Sequence, residues 1–342
     1  MKYFLTVLLA VFLIAGCTEN DNSKDVDDSA ADGNIKVSEA ERTALYEMTY
    51  SFAEGEKLNY RLTTITNTTQ SVDSDSLIEM DVTQTIKYKF GIDVLKVDEN
   101  KITTLAIRIN HIDFTAVYDG KSSNYNSEME LSSEDRMEYF EYETLKHNTY
   151  HARLNNRGEI LGISNLDKMI DNMAAIQGYT NEITQEERKG VSESLSSMLI
   201  KPMTQHLFRI LPDSPVGVDS VWEYRYPSSL ATFKIENIAS FRILRIIKED
   251  NDLAAEISAS LNITHSGDNT FTEDGVSYYF DPPIVNGSGK LKFNIDKGYL
   301  IHSKTTTRAE TQGIVSAKDE NGITRQAGRK DITVSTNIID RL

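Results

Sequence analysis

Cysteine is nearly missing from this chain of 342 residues, in which Cys17 is the only one. An internal disulfide, a thiolate zinc cage and a dithiol redox pair are thereby excluded. Histidine is sparse, with 6 residues scattered along the chain. The usual catalytic signatures are absent as well: no G-x-S-x-G elbow, no H-E-x-x-H, no phosphate-binding glycine loop and no G-x-G-x-x-G after a strand. No cofactor and no metal are implied, and the expectation is a non-enzymatic protein. Positive charge is in deficit, with a formal net charge of −16, which argues against nucleic acid and anionic membrane faces as partners of a broad basic surface. Long apolar runs are lacking too. The stretch from Tyr3 to Ile14 falls short of the ~20 residues that span a bilayer core.

What the amino terminus has is the order of a secretory signal: Lys2, the apolar stretch, small Ala15 and Gly16, then Cys17. Leu13-Ile14-Ala15-Gly16-Cys17 resembles the lipobox of bacterial lipoproteins. That resemblance implies that 1–16 are removed and that Cys17 becomes the lipidated first residue, holding the mature protein on a membrane. The expected location is the cell envelope, at the outer membrane, with the side left open. Residues 17–42 are polar and acidic, with Asp21, Asp25, Asp27, Asp28 and Asp32. Such a segment buries too little apolar surface to offset its ordering entropy and reads as a disordered tether. The acidic stretch resembles surface-export signals of some Bacteroidota-type lipoproteins; a plain solvated spacer is the alternative.

Beyond the tether, period-two alternation dominates. Ile78, Met80, Val82, Ile86, Tyr88, Phe90, Ile92 and Val94 all fall on even positions, which predicts one long strand, or two meeting at Gly91, with one face buried. After Asp98-Glu99-Asn100-Lys101 the alternation resumes at Leu105, Ile107 and Ile109, completing a hairpin. A similar plan returns later, with Phe241, Ile243 and Ile247, a turn at Glu249–Asp252, then Leu253, Ala255, Ile257, Ala259 and Leu261. Each copy closes on a glycine hairpin, Leu154–Ile160 and Phe293–Tyr299. Between the copies the period becomes helical. Leu166, Met169, Ile170, Met173 and Ile176 predict a helix over 165–177, capped by Ser164 or Asn165. Thr184 with Glu187 fits a capping box, and a further helix is expected from Pro202 towards Pro212. The expected fold is mainly β (α+β), a large antiparallel curved sheet or open barrel of two similar units, with the helical insert on its concave face. The boundaries are 43–163, 164–212 and 213–342, with 43–342 as a single domain the alternative.

Few residues stand out chemically. His147 and His151 lie at a ligand-like interval, but Tyr150, Ala152 and Leu154 alternate against them, and a solvent-facing polar strand is the stronger reading. Asp73-Ser74-Asp75 and Asp250-Asn251-Asp252 lack calcium-loop spacing and read as turns. Trp222, beside Tyr224 and Tyr226, reads as core. Tyr278, Tyr279 and Phe280 could anchor a surface partner or serve the sheet. Met169, Met173, Met198 and Met203 give the insert a soft apolar face, suited to a core or to a lipid-binding cavity.

The order of these parts resembles a family of uncharacterised bacterial lipoproteins with a domain of unknown function, common in Bacteroidota. Its marks here are Phe52, Gly55-Glu56 and Tyr60, the Gly162–Met173 helix start, the run Leu211–Trp222, and Gly287-Ser288-Gly289. Val218 stands where a glycine is usual. The family brings no catalytic residues. At fold level the plan is similar to half-barrel periplasmic carriers of lipids or lipoproteins, an analogy that fixes no function. The leading expectation is an envelope lipoprotein binding an apolar or amphipathic ligand between sheet and helices, in a cavity of about 300–1,000 Å³. The alternative is a surface scaffold that binds protein or glycan through the 278–284 loop.

Overall fold

Alternating side chains dominate the chain from Lys57 onward, and a strand buries one such set only by lying in a sheet with something against that face. The computed structural model describes residues 37–74, 76–179, 183–273, 275–318 and 322–342; the expected signal segment, Cys17 and most of the expected tether lie outside them. After a short helix α1 (Glu39–Thr43), the chain forms β1 (Lys57–Asp73), β2 (Leu77–Val97), β3 (Thr103–Tyr118) and β4 (Lys121–Asn126). Helices α2 (Ser133–Glu138) and α3 (Phe140–Leu145) precede β5 (Thr149–Leu154) and β6 (Ile160–Ser164). The helical segment follows: α4 (Asp167–Ile176), α5 (Gln185–Leu195), a π turn (Ser196–Ile200) and α6 (Lys201–Leu207). The second run of strands is β7 (Val221–Leu230), β8 (Phe233–Glu249), β9 (Asp252–Ser266), β10 (Thr270–Glu273), β11 (Val276–Phe280), β12 (Ile284–Asn294), β13 (Tyr299–Lys318) and β14 (Thr324–Arg341).

All 14 strands among the described residues belong to one sheet, whose main path runs β6-β5-β3-β2-β1-β14-β13-β12-β9-β8-β7. The paired strands are antiparallel throughout. The even-position stripe is a single strand through Gly91, with Tyr88, Phe90, Ile92 and Val94 buried. Opposite it, Asn110 bulges out of β3 and lays its amide over the space that Gly91 leaves open.

The order β1-β2-β3-β5-β6 recurs as β7-β8-β9-β12-β13. Each run carries its insertion after the third strand, β4 with α2 and α3 in one, β10 and β11 in the other. Both glycine hairpins also carry a bulge at the matching place, beside Arg153/Leu154 and beside Lys292/Phe293. On the main path only β14 has no counterpart. It pairs with β13 on one side and β1 on the other, joining the two runs into one sheet.

One face of this sheet carries the core and the helices. Leu58, Tyr60 and Leu62, Phe90 and Ile92, Ile107 and Ile109, Ile243, Phe293 and Leu300 are buried there, with Leu166, Met169, Ile170, Leu195, Ile200, Met203 and Leu207 of the helical segment packed against them. At the same end the chain before β1 crosses both glycine hairpins. Tyr50 N–H donates to Asn156 O (2.7 Å) and Ser51 N–H to Gly298 O (3.1 Å). Gly158 and Gly298, both at positive φ, leave the room for this crossing, since a β-carbon on either would strike the backbone packed over it. The strap is tied further by Tyr46 to Val216 and by Arg209 N–H to the Tyr50 hydroxyl (2.8 Å).

Three local expectations change. Neither Ser164 nor Asn165 caps α4: Ser164 pairs with His151 in the sheet, while Asn165 takes a left-handed φ of 62° and its amide donates to Thr149 O. Asparagine tolerates that conformation, so the helix begins two residues later at Asp167. The helix at Pro202 is no separate element, because the π turn joins α5 to α6. It stops at Leu207, well before Pro212, as Phe208 turns extended. The capping box at Thr184 and Glu187 forms as its spacing predicts.

Candidate functional site

The inner face changes chemistry along the strands. From the strap end it is apolar; farther along β13 it becomes Ser303, Thr305 and Thr307, all buried, and on β14 Asn337 and Ser335. Register places Thr64, Thr66 and Thr68 of β1 opposite Asn337, Ser335 and Thr333. The pairs join through their side chains, Thr64 hydroxyl to Asn337 Oδ1 at 2.8 Å, Thr66 to Ser335 and Thr68 to Thr333 at 3.2 Å. Gly287 and Gly289 of β12 pair with Thr307 and Thr305, and the missing β-carbons make space for those threonines. The result is a polar floor through the middle of the sheet. Mainly apolar residues flank it on both sides: Val82, Ile86 and Phe114 on β2 and β3, with Gln84 between the first two opposite Thr66, and Leu261, Val285 and Ala309 on β9, β12 and β13.

Arg209 stands where the apolar core meets this floor. Its side chain comes from the segment after α6 and is 3% exposed. Nη2 donates to Ser303 Oγ (3.3 Å) and Thr305 Oγ1 (3.4 Å), while Nε and Nη1 make no hydrogen bond to the protein. Burial pushes the guanidinium down to about 10, against the pull of the nearby Tyr50 and Tyr226 hydroxyls, so it stays charged at neutral pH. His206, one turn earlier, is also buried; burial first and the Arg209 charge second push its imidazole down to about 3.

The sheet curls enough to bring its two edges to one cleft. A cavity of about 490 Å³ opens where the β5–β6 hairpin, with Arg157 and Glu159, faces β7, with Trp222 and Tyr224, across the segment Ile210–Ser214. These are opposite ends of the strand path, so the sheet is strongly curved and not closed. Trp222 is fixed on the core side of the cleft, its indole N–H donating to Ile210 O and its ring stacked on Phe241.

Of the residues singled out from sequence, Met169 and Met203 are buried in the core and Met173 packs against it. They occupy the space in which a ligand was expected. Met198 does not join them: it lies on the π turn, 73% exposed, and its place as a cavity residue is corrected. Tyr278, Tyr279 and Phe280 do not form one patch, because the pleat of β11 divides them. Tyr278 and Phe280 share a face with Phe271, which stacks on Tyr278 at 4.4 Å, and Tyr279 points the other way, 41% exposed. His147 sits in the turn before β5 and His151 on the strand; among the described residues no metal-holding cluster occurs.

Sequence reasoning missed Arg209 and the hydroxyl floor. The signals were there: a lone cation inside Leu207-Phe208-Arg209-Ile210-Leu211, and threonines at alternate places in Thr64–Thr68 and Thr305–Thr307.

No curated protein matches the chain. Among solved structures, the one titled as lipid-protein interactions in lipovitellin is similar at 9% identity and a TM-score of 0.42, over 85% of this chain and 25% of that one. This chain thus spans about a quarter of the lipovitellin chain. OccK2 (OpdF) of Pseudomonas aeruginosa is similar at 6% identity and a TM-score of 0.19, over 83% and 98%, and OccK7 (OpdD) of the same organism at 8% and 0.22, over 84% and 100%. Likenesses of this size carry no statement about function. The sequence itself matches a family model from residue 100 to residue 299, the stretch from the start of β3 through the second glycine hairpin, and the chain belongs to the family of unknown function DUF6263.

Proposed function

We propose that this chain is a non-enzymatic lipoprotein of the bacterial cell envelope, held at the outer membrane by lipid on Cys17, that carries an amphipathic ligand on the inner face of its curled sheet. The observation that carries the reading is the polar floor set between mainly apolar flanks, on the long strands β1, β13 and β14. Hydroxyls and amides there offer hydrogen bonds, and the flanking side chains offer apolar contact, the mixed lining of a small-molecule site. The ligand therefore lies farther along the strands than sequence reasoning placed it, because side chains fill the space beneath α4–α6. The absence of catalytic motifs in the sequence supports a binding role.

Native mass spectrometry of the mature protein purified from its own envelope, followed by lipid extraction, tests the reading. A stoichiometric lipid or amphipathic small molecule is expected; protein that is consistently ligand-free would overturn it. Exchanging Cys17 for serine is expected to abolish labelling by radioactive palmitate.

One observation favours a second reading, a surface scaffold that binds protein or glycan through the β10–β11 hairpin. Phe271 and Tyr278 stack there with an interplanar angle of 5°, and Phe271 is 38% exposed. Loss of partner binding in Phe271→Ala, with the inner face intact, would favour it.

A further inference from the structure

An arginine inside a protein is ordinarily met by a carboxylate, because an unpaired buried charge is costly and guanidinium does not give up its proton. Other arginines, such as Arg61 with Asp340 and Arg245 with Glu256, follow that pattern near the surface. Arg209 does not. It is nine-tenths buried and more, forms no salt bridge among the described residues, and is met only by the hydroxyls of Ser303 and Thr305. Nε and Nη1 keep their N–H groups unused. Each hydroxyl that accepts from the guanidinium also retains an O–H to donate, so guanidinium and hydroxyls together form a donor set with no acceptor of matching charge.

We infer that Arg209, with Ser303 and Thr305, receives the anionic head, a carboxylate or a phosphate, of the ligand that the inner face carries. The inference rests on the proposed function for the ligand's apolar part and adds the charge of its head. The head enters along the polar floor and the tail lies against the apolar flanks. Arginine's planar fork suits both anions.

The test uses the mature chain with dodecanoate, methyl dodecanoate and inorganic phosphate as probes, binding followed by calorimetry and by the shift in Tm. Dodecanoate is expected to bind at least about tenfold more tightly than its ester, and Arg209→Met to bring the two within about twofold while Arg209→Lys keeps a preference. If Arg209→Met fails to fold, the acid-to-ester ratio of the unaltered protein, with Ser303→Ala weakening the acid alone, decides the matter. Equal binding of acid and ester would overturn the role of Arg209 and leave the carrier reading standing. Binding of neither probe, with no phosphate effect on Tm, would overturn both. A rise in Tm with phosphate and no dodecanoate binding would assign Arg209 to a free anion and overturn its role as a lipid-head receptor.

Discussion

His206 lies in the last turn of α6 with its imidazole pressed down to about 3, chiefly by burial and then by the Arg209 charge. The unfolded chain takes up a proton near pH 6.5 that the folded chain refuses until far lower. Stability is therefore full above about pH 6.5 and falls as pH drops below it. The loss expected from this residue is about 2 kcal/mol by pH 5, above the range where most carboxylates titrate. Urea unfolding of the unaltered chain and of His206→Leu between pH 7.5 and 5 checks this; the slope should flatten in the variant. Gly158 and Gly298 make a second prediction at this scale. A methyl on either is caught between positive φ and the strap, against Arg209 O and the Tyr50 ring in one case and Ser51 N and Thr49 O in the other. Each alanine substitution is expected to cost about 2 kcal/mol or more, read as a fall in Tm. The hairpin glycines were legible in the sequence as turn formers; the strap pressed against both was not, because Tyr50 and Ser51 lie in no periodic element that marks them.

At the scale of elements, α5, the π turn and α6 form one bent rod whose apolar side changes direction at the wide turn. Pro202 supplies no N–H for an ordinary helical bond, and the backbone widens just ahead of it. This turn moves Met198 to solvent while Met203 stays inside. Met203→Ala and Met169→Ala are accordingly expected to cost about 2–4 kcal/mol, and Met198→Ser to stay within about 0.5 kcal/mol, in denaturant unfolding. Equal effects at Met198 and Met203 would contradict the placement. Alternation and helical stripes made the strands, α4 and the capped start of α5 legible. The π turn was not, since the change from four-residue to five-residue bonding leaves no mark in a stripe as short as Leu195–Leu199. The three adjacent aromatics at 278–280 fit either a surface anchor or the sheet by sequence, and the pleat of β11 divides them, Tyr278 and Phe280 on one face and Tyr279 on the other.

For the whole molecule, the position of β14 between β1 and β13 and the strap across both hairpins tie the two runs of strands together at sheet and end alike. Unfolding is expected to be a single transition. Trp222, the only tryptophan, reports from β7 in the second run, while far-ultraviolet circular dichroism reports on the whole sheet. The two probes should give coincident denaturant curves, and separated midpoints would show two independently folding halves. The repeated strand plan was legible from its hairpins, whereas the hydroxyl floor appears only once register brings Thr64, Thr66 and Thr68 against Asn337, Ser335 and Thr333 from the far end of the chain. The proposed ligand lies along that floor. A diazirine-bearing fatty acid, photolysed on the mature protein and mapped by peptide mass spectrometry, tests this placement most directly. Label is expected on β1, β13 and β14 around those residues; label confined to the Thr270–Phe280 hairpin, or none at all, would overturn the proposed placement.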